Sequence, residues 1–155
     1  MRVRSLIAVT LLAFLSGCAT TPQVPCGTTQ GICPMQAIER AAAAAPYGAP
    51  GRYTLVVRSI GQSNGLIYLD SQSDYRDQRN VAVVLYPRAQ AQLRARLSGS
   101  LERALEGRRI VVMGSARRVK ILFVDSHHHY SGKYYYQTHI AVTEGDQVQE
   151  VPDAS

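Results

Sequence analysis

Leu93, Leu97, Leu101 and Leu105 recur every four residues, between two stretches whose apolar residues run almost unbroken. That recurrence puts the leucines on one stripe of a helix over 89–106, with Arg94, Arg96, Glu102, Arg103 and Glu106 largely elsewhere. Gly107 is a natural terminator, and Gly99 marks a kink, since glycine inside a helix costs about 1 kcal/mol against alanine. The flanking stretches carry a different signal. Residues 53–60 (YTLVVRSI), 66–69 (LIYL) and 81–86 (VAVVLY, stopped by Pro87) are rich in β-formers, as are 109–124 and 133–143 after the helix. A chain of this order is mainly β with one helix.

Polar and glycine-bearing segments separate these runs. Gly61 to Gly65 supplies turn chemistry, 70–80 is a polar loop, and 125–132 joins the last two strands. Gly114 interrupts the fourth strand and predicts a bulge or bend. In the fifth strand, alternation puts Tyr134, Tyr136, Thr138, Ile140 and Val142 on one face. Tyr135, Gln137, His139 and Ala141 share the other.

The order strand, strand, strand, helix, strand, strand resembles the oligonucleotide/oligosaccharide-binding (OB) fold, a five-stranded Greek-key barrel. The resemblance covers about residues 52–146. It rests on the element order, the bend at Gly114 and a helix that would plug the barrel end. The phrases Leu69-Asp-Ser, Asp74-Tyr-Arg-Asp77, Gly107 to Gly114 and Tyr136-Gln-Thr-His-Ile140 look like those of small bacterial lipoproteins with such a domain. They are distantly similar to the barrel of thermonuclease-like proteins. The acid, base and arginine set of those nucleases does not map onto this chain, which speaks against catalysis.

The first 17 residues read as an export signal. Arg2 and Arg4 precede an apolar core from Leu6 to Leu15, too short to span a bilayer. Leu15-Ser16-Gly17-Cys18 looks like a bacterial lipobox. The resemblance implies cleavage before Cys18 and lipid on its thiol, which would anchor the mature chain in a membrane. Ala19, in place of Asp, implies by the same analogy the outer membrane, facing the periplasm. Residues 18–51 then read as a tether containing a short helix from Pro34 to Ala45, 52–146 as the OB-like domain, and 147–155 as a tail.

Loss of Arg2 and Arg4 leaves 15 basic against 11 acidic residues, a net charge of +4. That is mildly basic and permits anionic partners without requiring them. With Cys18 lipidated, Cys26 and Cys33 remain, and an oxidising compartment makes a disulfide between them the default expectation. A metal site is a weaker reading, because only two thiols are present and the histidines are far along the chain. A redox pair is weaker still, because the spacing is not C-x-x-C. Two unpaired thiols are the remaining alternative.

Three groups of residues could carry chemistry. Arg117, Arg118, Lys120, Lys133, Tyr134 and Tyr136, with Tyr135, combine cations with rings, the mixture that binds sugars or nucleic acid. The competing expectation is a solvated strand pair protected from edge pairing. His127, His128 and His129, joined by His139 across the hairpin, are weak metal candidates. Consecutive residues seldom aim three rings at one ion. Asp70, Asp74 and Asp77 fail the calcium-loop pattern, because counted from Asp70 its sixth position is Tyr75 rather than Gly and its twelfth Val81 rather than Glu. Local pairing of Arg76 with an Asp is the plainer expectation.

Nucleophile elbow, phosphate loop and dinucleotide fingerprint are absent from the sequence. The expectation is a lipid-anchored, non-catalytic binding module without a cofactor, recognising an envelope protein or anionic polymer. Nucleic-acid binding through the basic tyrosine face is the second reading, and a divergent metal-dependent phosphodiesterase the third.

Overall fold

The structure, a computed structural model, describes residues 31–97, 99–127 and 129–150. Cys18, Cys26 and the export signal lie outside the described residues.

Helix α1 (Pro34–Ala43) opens the described chain. Pro34 stands at its first position, where a missing N–H costs nothing, and the Cys33 amide donates to Gln36 Oε1 at 3.2 Å. Composition places this helix in a tether, yet Ala37 and Ala41 are buried in the main core. Ile32 also bridges Tyr53 in parallel, so the folded body begins well before Arg52.

The strands are β1 (Ala49–Val56), β2 (Ser59–Ser63), β3 (Leu66–Asp70), β4 (Val81–Leu85), β5 (Arg109–Val124), β6 (Tyr130–Val142) and β7 (Val148–Glu150). Their order is β1-β5-β6-β4-β3-β2, with β7 on β5. All pairs are antiparallel except β4 with β6, which are parallel and are separated in the chain by two helices and β5. The expectation of five strands and one helix is thus corrected to seven strands and three α-helices among the described residues, in a sheet that does not close.

Each extra element has a local cause. The first predicted strand divides at Val57 and Arg58. The Val57 amide donates to Arg108 O at 2.9 Å, beside β5, and the Arg58 amide donates to Asp70 O at 2.8 Å, in β3. The chain therefore changes pairing partner within two residues. Asn64 and Gly65 both take positive φ, the two-residue turn that suits the twist of a β2–β3 hairpin. The leucine-striped helix divides as well, into α2 (Pro87–Leu97) and α3 (Leu101–Leu105). Ser100 ends the break by accepting from the Arg103 amide, as an N-cap does. The stripe survives the break: Leu93, Leu101 and Leu105 are fully buried and Leu97 packs against them.

The expected C-terminal tail also contributes. Val148 is buried and pairs with Val112, and Arg96 of α2 donates to Gly145 O at 3.0 Å and Val148 O at 2.6 Å. One core results, built from Tyr53, Leu55, Ile67, Leu69, Val83 and Leu85 with Ile110, Val112, Ile140 and Val142. Gly114 sits where one edge of β5 passes from β7 to β6. A Cβ there would lie 2.7 Å from Ile140 Cγ2, so close approach accounts for the glycine.

Candidate functional site: a tyrosine-walled cleft on the outer face of the sheet

Alternation sends Ile67, Leu69, Val81, Val83, Leu85 and Ile140 into the core. The residues between them face outward. One row crosses five strands in register: Ser59, Asp70, Ala82, His139 and Arg117. Neighbouring strands lie about 4.8 Å apart, so Asp70 and His139 stand roughly 10 Å from each other across the small side chain of Ala82. The gap is the floor of a cleft of about 600 Å³. Tyr68, Tyr75 and Tyr135 contribute rings to its lining, and the β2 hairpin forms one wall. Its volume falls in the range of small-molecule clefts, and seven of its fourteen lining residues are polar or charged besides the tyrosines.

The polar groups around the cleft are held in a chain of bonds. Asn80 Nδ2 donates to Asp70 Oδ1 at 2.6 Å and to Tyr75 O at 3.3 Å. Asn80 Oδ1 accepts from the Gln72 amide at 3.1 Å and Ser71 Oγ at 3.3 Å. Gln137 Nε2 donates to Tyr75 O at 2.7 Å and to the Tyr135 hydroxyl oxygen at 2.8 Å, while Gln137 Oε1 lies 2.8 Å from His139 Nε2. Tyr68 meets the His139 ring edge-on. Burial raises the Asp70 carboxyl above its ordinary value, opposed by the Asn80 bond. Burial also holds His139 below the ordinary histidine value, favouring the neutral ring.

The basic–aromatic residues divide between two faces. Arg118, Lys120, Tyr134 and Tyr136 come together. Arg118 Cζ lies 3.7 Å from the centre of the Tyr136 ring, Lys120 Nζ lies 4.0 Å from that of Tyr134, and the two rings meet edge-on. This ladder borders a second hollow of about 440 Å³ against Ile38 and Ala42 of α1. Arg117 is not part of it, because it pairs opposite His139 on the other face. Lys133 lies at the irregularity between the Leu122–Tyr134 and Val124–Tyr130 pairs. Beyond residue 117, β5 has only β6 as a neighbour, so 117–124 and 130–137 form a two-stranded arm. Leu122, Phe123 and Val124 on it are 50, 44 and 55% exposed.

The histidines, weak metal candidates from the sequence, do not come together as one set among the described residues. His127 and His129 stand side by side with ring centres 6.2 Å apart, and Asp125 Oδ1 accepts from both of their amides. His128 lies outside the described residues. His139 cannot join them, since nine residues of strand from Tyr130 span about 30 Å. Among the described residues, no group of three His, Cys, Asp or Glu could hold a metal ion.

The acidic loop is likewise committed locally. Asp74 Oδ1 accepts from the Arg76 amide and faces Arg76 Nε at 3.4 Å, as expected. Asp77 pairs with Arg79 at 2.7 Å, a partner the sequence reading missed, and Arg79 holds the Asp77 carboxyl down at about 2. Asp70 turns into the sheet instead. Sequence reasoning placed Tyr135, Gln137 and His139 on a shared face but did not join them to Tyr68, Asp70 and Ala82. The small Ala82 inside VAVVLY was the available signal.

No protein family matches the chain, and no curated protein matches it.

Proposed function

We propose that this chain is a lipid-anchored envelope binding module that takes its ligand, a segment of an envelope protein or polymer, in the tyrosine-walled cleft. The carrying observation is the cleft itself: rings of Tyr68, Tyr75 and Tyr135 around a floor opened by Ala82, with Gln137 and His139 held by hydrogen bonds. Rings give contact area at low entropic cost, and fixed amides give orientation.

The domain is read as an OB-like barrel. β1 and β2 then act as one bent strand, handed from β5 to β3 at Val57 and Arg58. So counted, the strand order returns on itself, and the parallel β4–β6 pair supports the Greek-key order. The cleft would lie on the barrel's outer face. The anchor reading rests on Leu15-Ser16-Gly17-Cys18 behind an apolar segment, and places the module at the outer membrane, facing the periplasm. With Cys18 acylated, Cys26 and Cys33 pair in a small loop.

Titration of the full chain with solubilised envelope fractions tests the cleft. Binding that is lost in Tyr68→Ala and Tyr135→Ala, and kept in Arg94→Ala on α2, is the expected result. Binding indifferent to both tyrosines would remove the proposal. The anchor has its own test: the mass of the mature protein is expected to begin at Cys18 with acyl chains attached. An unmodified Cys18 thiol would contradict it.

The cation–tyrosine ladder favours a second reading, nucleic-acid binding on the opposite face. Affinity that falls steeply with salt and drops in Arg118→Ala and Lys120→Ala would support it. Salt-insensitive or absent binding would exclude it.

A further inference from the structure

The cleft's charge is opposite in sign to that of the chain. The chain carries a net charge of +6, yet among the described residues that line the cleft there is no Lys or Arg. The lining holds one carboxylate, Asp70, and one imidazole, His139. Asp70 is only 3% exposed and is bonded to a neutral amide, that of Asn80. A carboxylate so placed has lost much of its water, and a neutral donor compensates only in part. A cation entering from the cleft would compensate it more fully.

The rings around it suit the same visitor. Aromatic faces attract cations through their quadrupoles, most strongly where water is excluded. This chain already uses that attraction three times, in Arg118 over Tyr136, Lys120 over Tyr134 and Arg76 over Tyr75. Arg76 does not supply the missing charge, because it stays exposed and paired with Asp74. Nor does Arg117, which lies beyond His139 in the row and is not part of the lining. A phosphate or carboxylate ligand would meet Asp70 with no Lys or Arg of the lining to offset it.

We propose that the cleft recognises an organic ammonium group, held by the Asp70 carboxylate and flanked by the rings of Tyr68, Tyr75 and Tyr135. The proposal rests on the cleft's being the ligand site and specifies what enters it. A lysine side chain and an amino sugar present the same chemistry.

The test uses the full, isotope-labelled chain and two ammonium probes, Nα-acetyl-lysine methylamide and the glucosamine trimer. Each is paired with its N-acetylated, neutral form. Amide signals of Tyr135, Gln137 and His139 are followed by NMR. At least one ammonium probe is expected to move them, binding about tenfold or more tighter than its neutral form. The probe that does so identifies the source, protein or glycan. Asp70→Asn is expected to abolish that preference. Since this variant alters a buried network, Ser73→Lys at the exposed rim is the second test: its added cation should weaken the ammonium probe and spare the neutral one. Equal binding of charged and neutral forms would overturn the ammonium proposal and leave the cleft reading standing. Shifts confined to residues away from the cleft would overturn both. Absence of binding by both ammonium probes at millimolar concentration would overturn the ammonium proposal.

Discussion

Gly114 shows how closely the sheet is packed. A methyl at this position would lie 2.7 Å from Ile140 Cγ2, and Ile140 is fully buried. Gly114→Ala is therefore expected to cost about 1–3 kcal/mol, as overpacked cores do. Denaturant unfolding would measure it; an unchanged midpoint would contradict the close approach to Ile140. His139 makes a different prediction at the same scale. Burial lowers its folded-state pKa below the ordinary 6.5, so the unfolded chain binds the proton more readily. Its contribution is present above pH 6.5 and is lost as pH falls through the lowered folded value. A stability profile of His139→Gln should fall less steeply than wild type over that window; parallel profiles would contradict the assignment. The sequence showed that Gly114 was unusual and that His139 shared a face with Tyr135. It did not show why, because Ile140 and Tyr68 reach these residues only through the pairing of separate strands.

The arm formed by 117–124 and 130–137 is the element with least support. It is a two-stranded ribbon, and such a hairpin is marginal by itself in water. Hydrogen exchange should be fast at Ile121, Leu122, Tyr134 and Tyr136, and much slower at Val111, Val112, Ile140 and Val142. Uniform protection along β5 and β6 would mean that something covers the arm. The helical pair behaves in the opposite way. Leu101 and Leu105 of the short α3 are fully buried, so Leu101→Ala should cost about 2–5 kcal/mol although its helix spans only Leu101–Leu105. Periodicity located this stripe correctly and drew it as one helix, with a kink at Gly99. The break needs Ser100 to cap a new start, a local choice that a leucine spacing does not reveal. The divided first strand escaped detection for a related reason. Neither Val57 nor Arg58 is a turn residue, and their partners Arg108 and Asp70 are distant in sequence.

At the scale of the molecule, the cleft lining differs in charge from its surroundings, although Arg117 lies beside it in the same row. Arg118 and Lys120 lie over tyrosines on one side of β5–β6, while the cleft on the other side is lined by Asp70 with no Lys or Arg among the described residues. Composition reported only the sum, a mildly basic chain, and drew attention to the cations. The cleft was hidden from it because its parts come from β2, β3, β4, β5, β6 and the loop after β3. The claim that matters most is that ligand enters this cleft. Its most direct test is crosslinking in living cells from a photoreactive residue at Gln62, on the cleft wall, compared with one at Arg94 on α2. A discrete adduct is expected from position 62 alone. No adduct at position 62, or the same adduct from both positions, would contradict it.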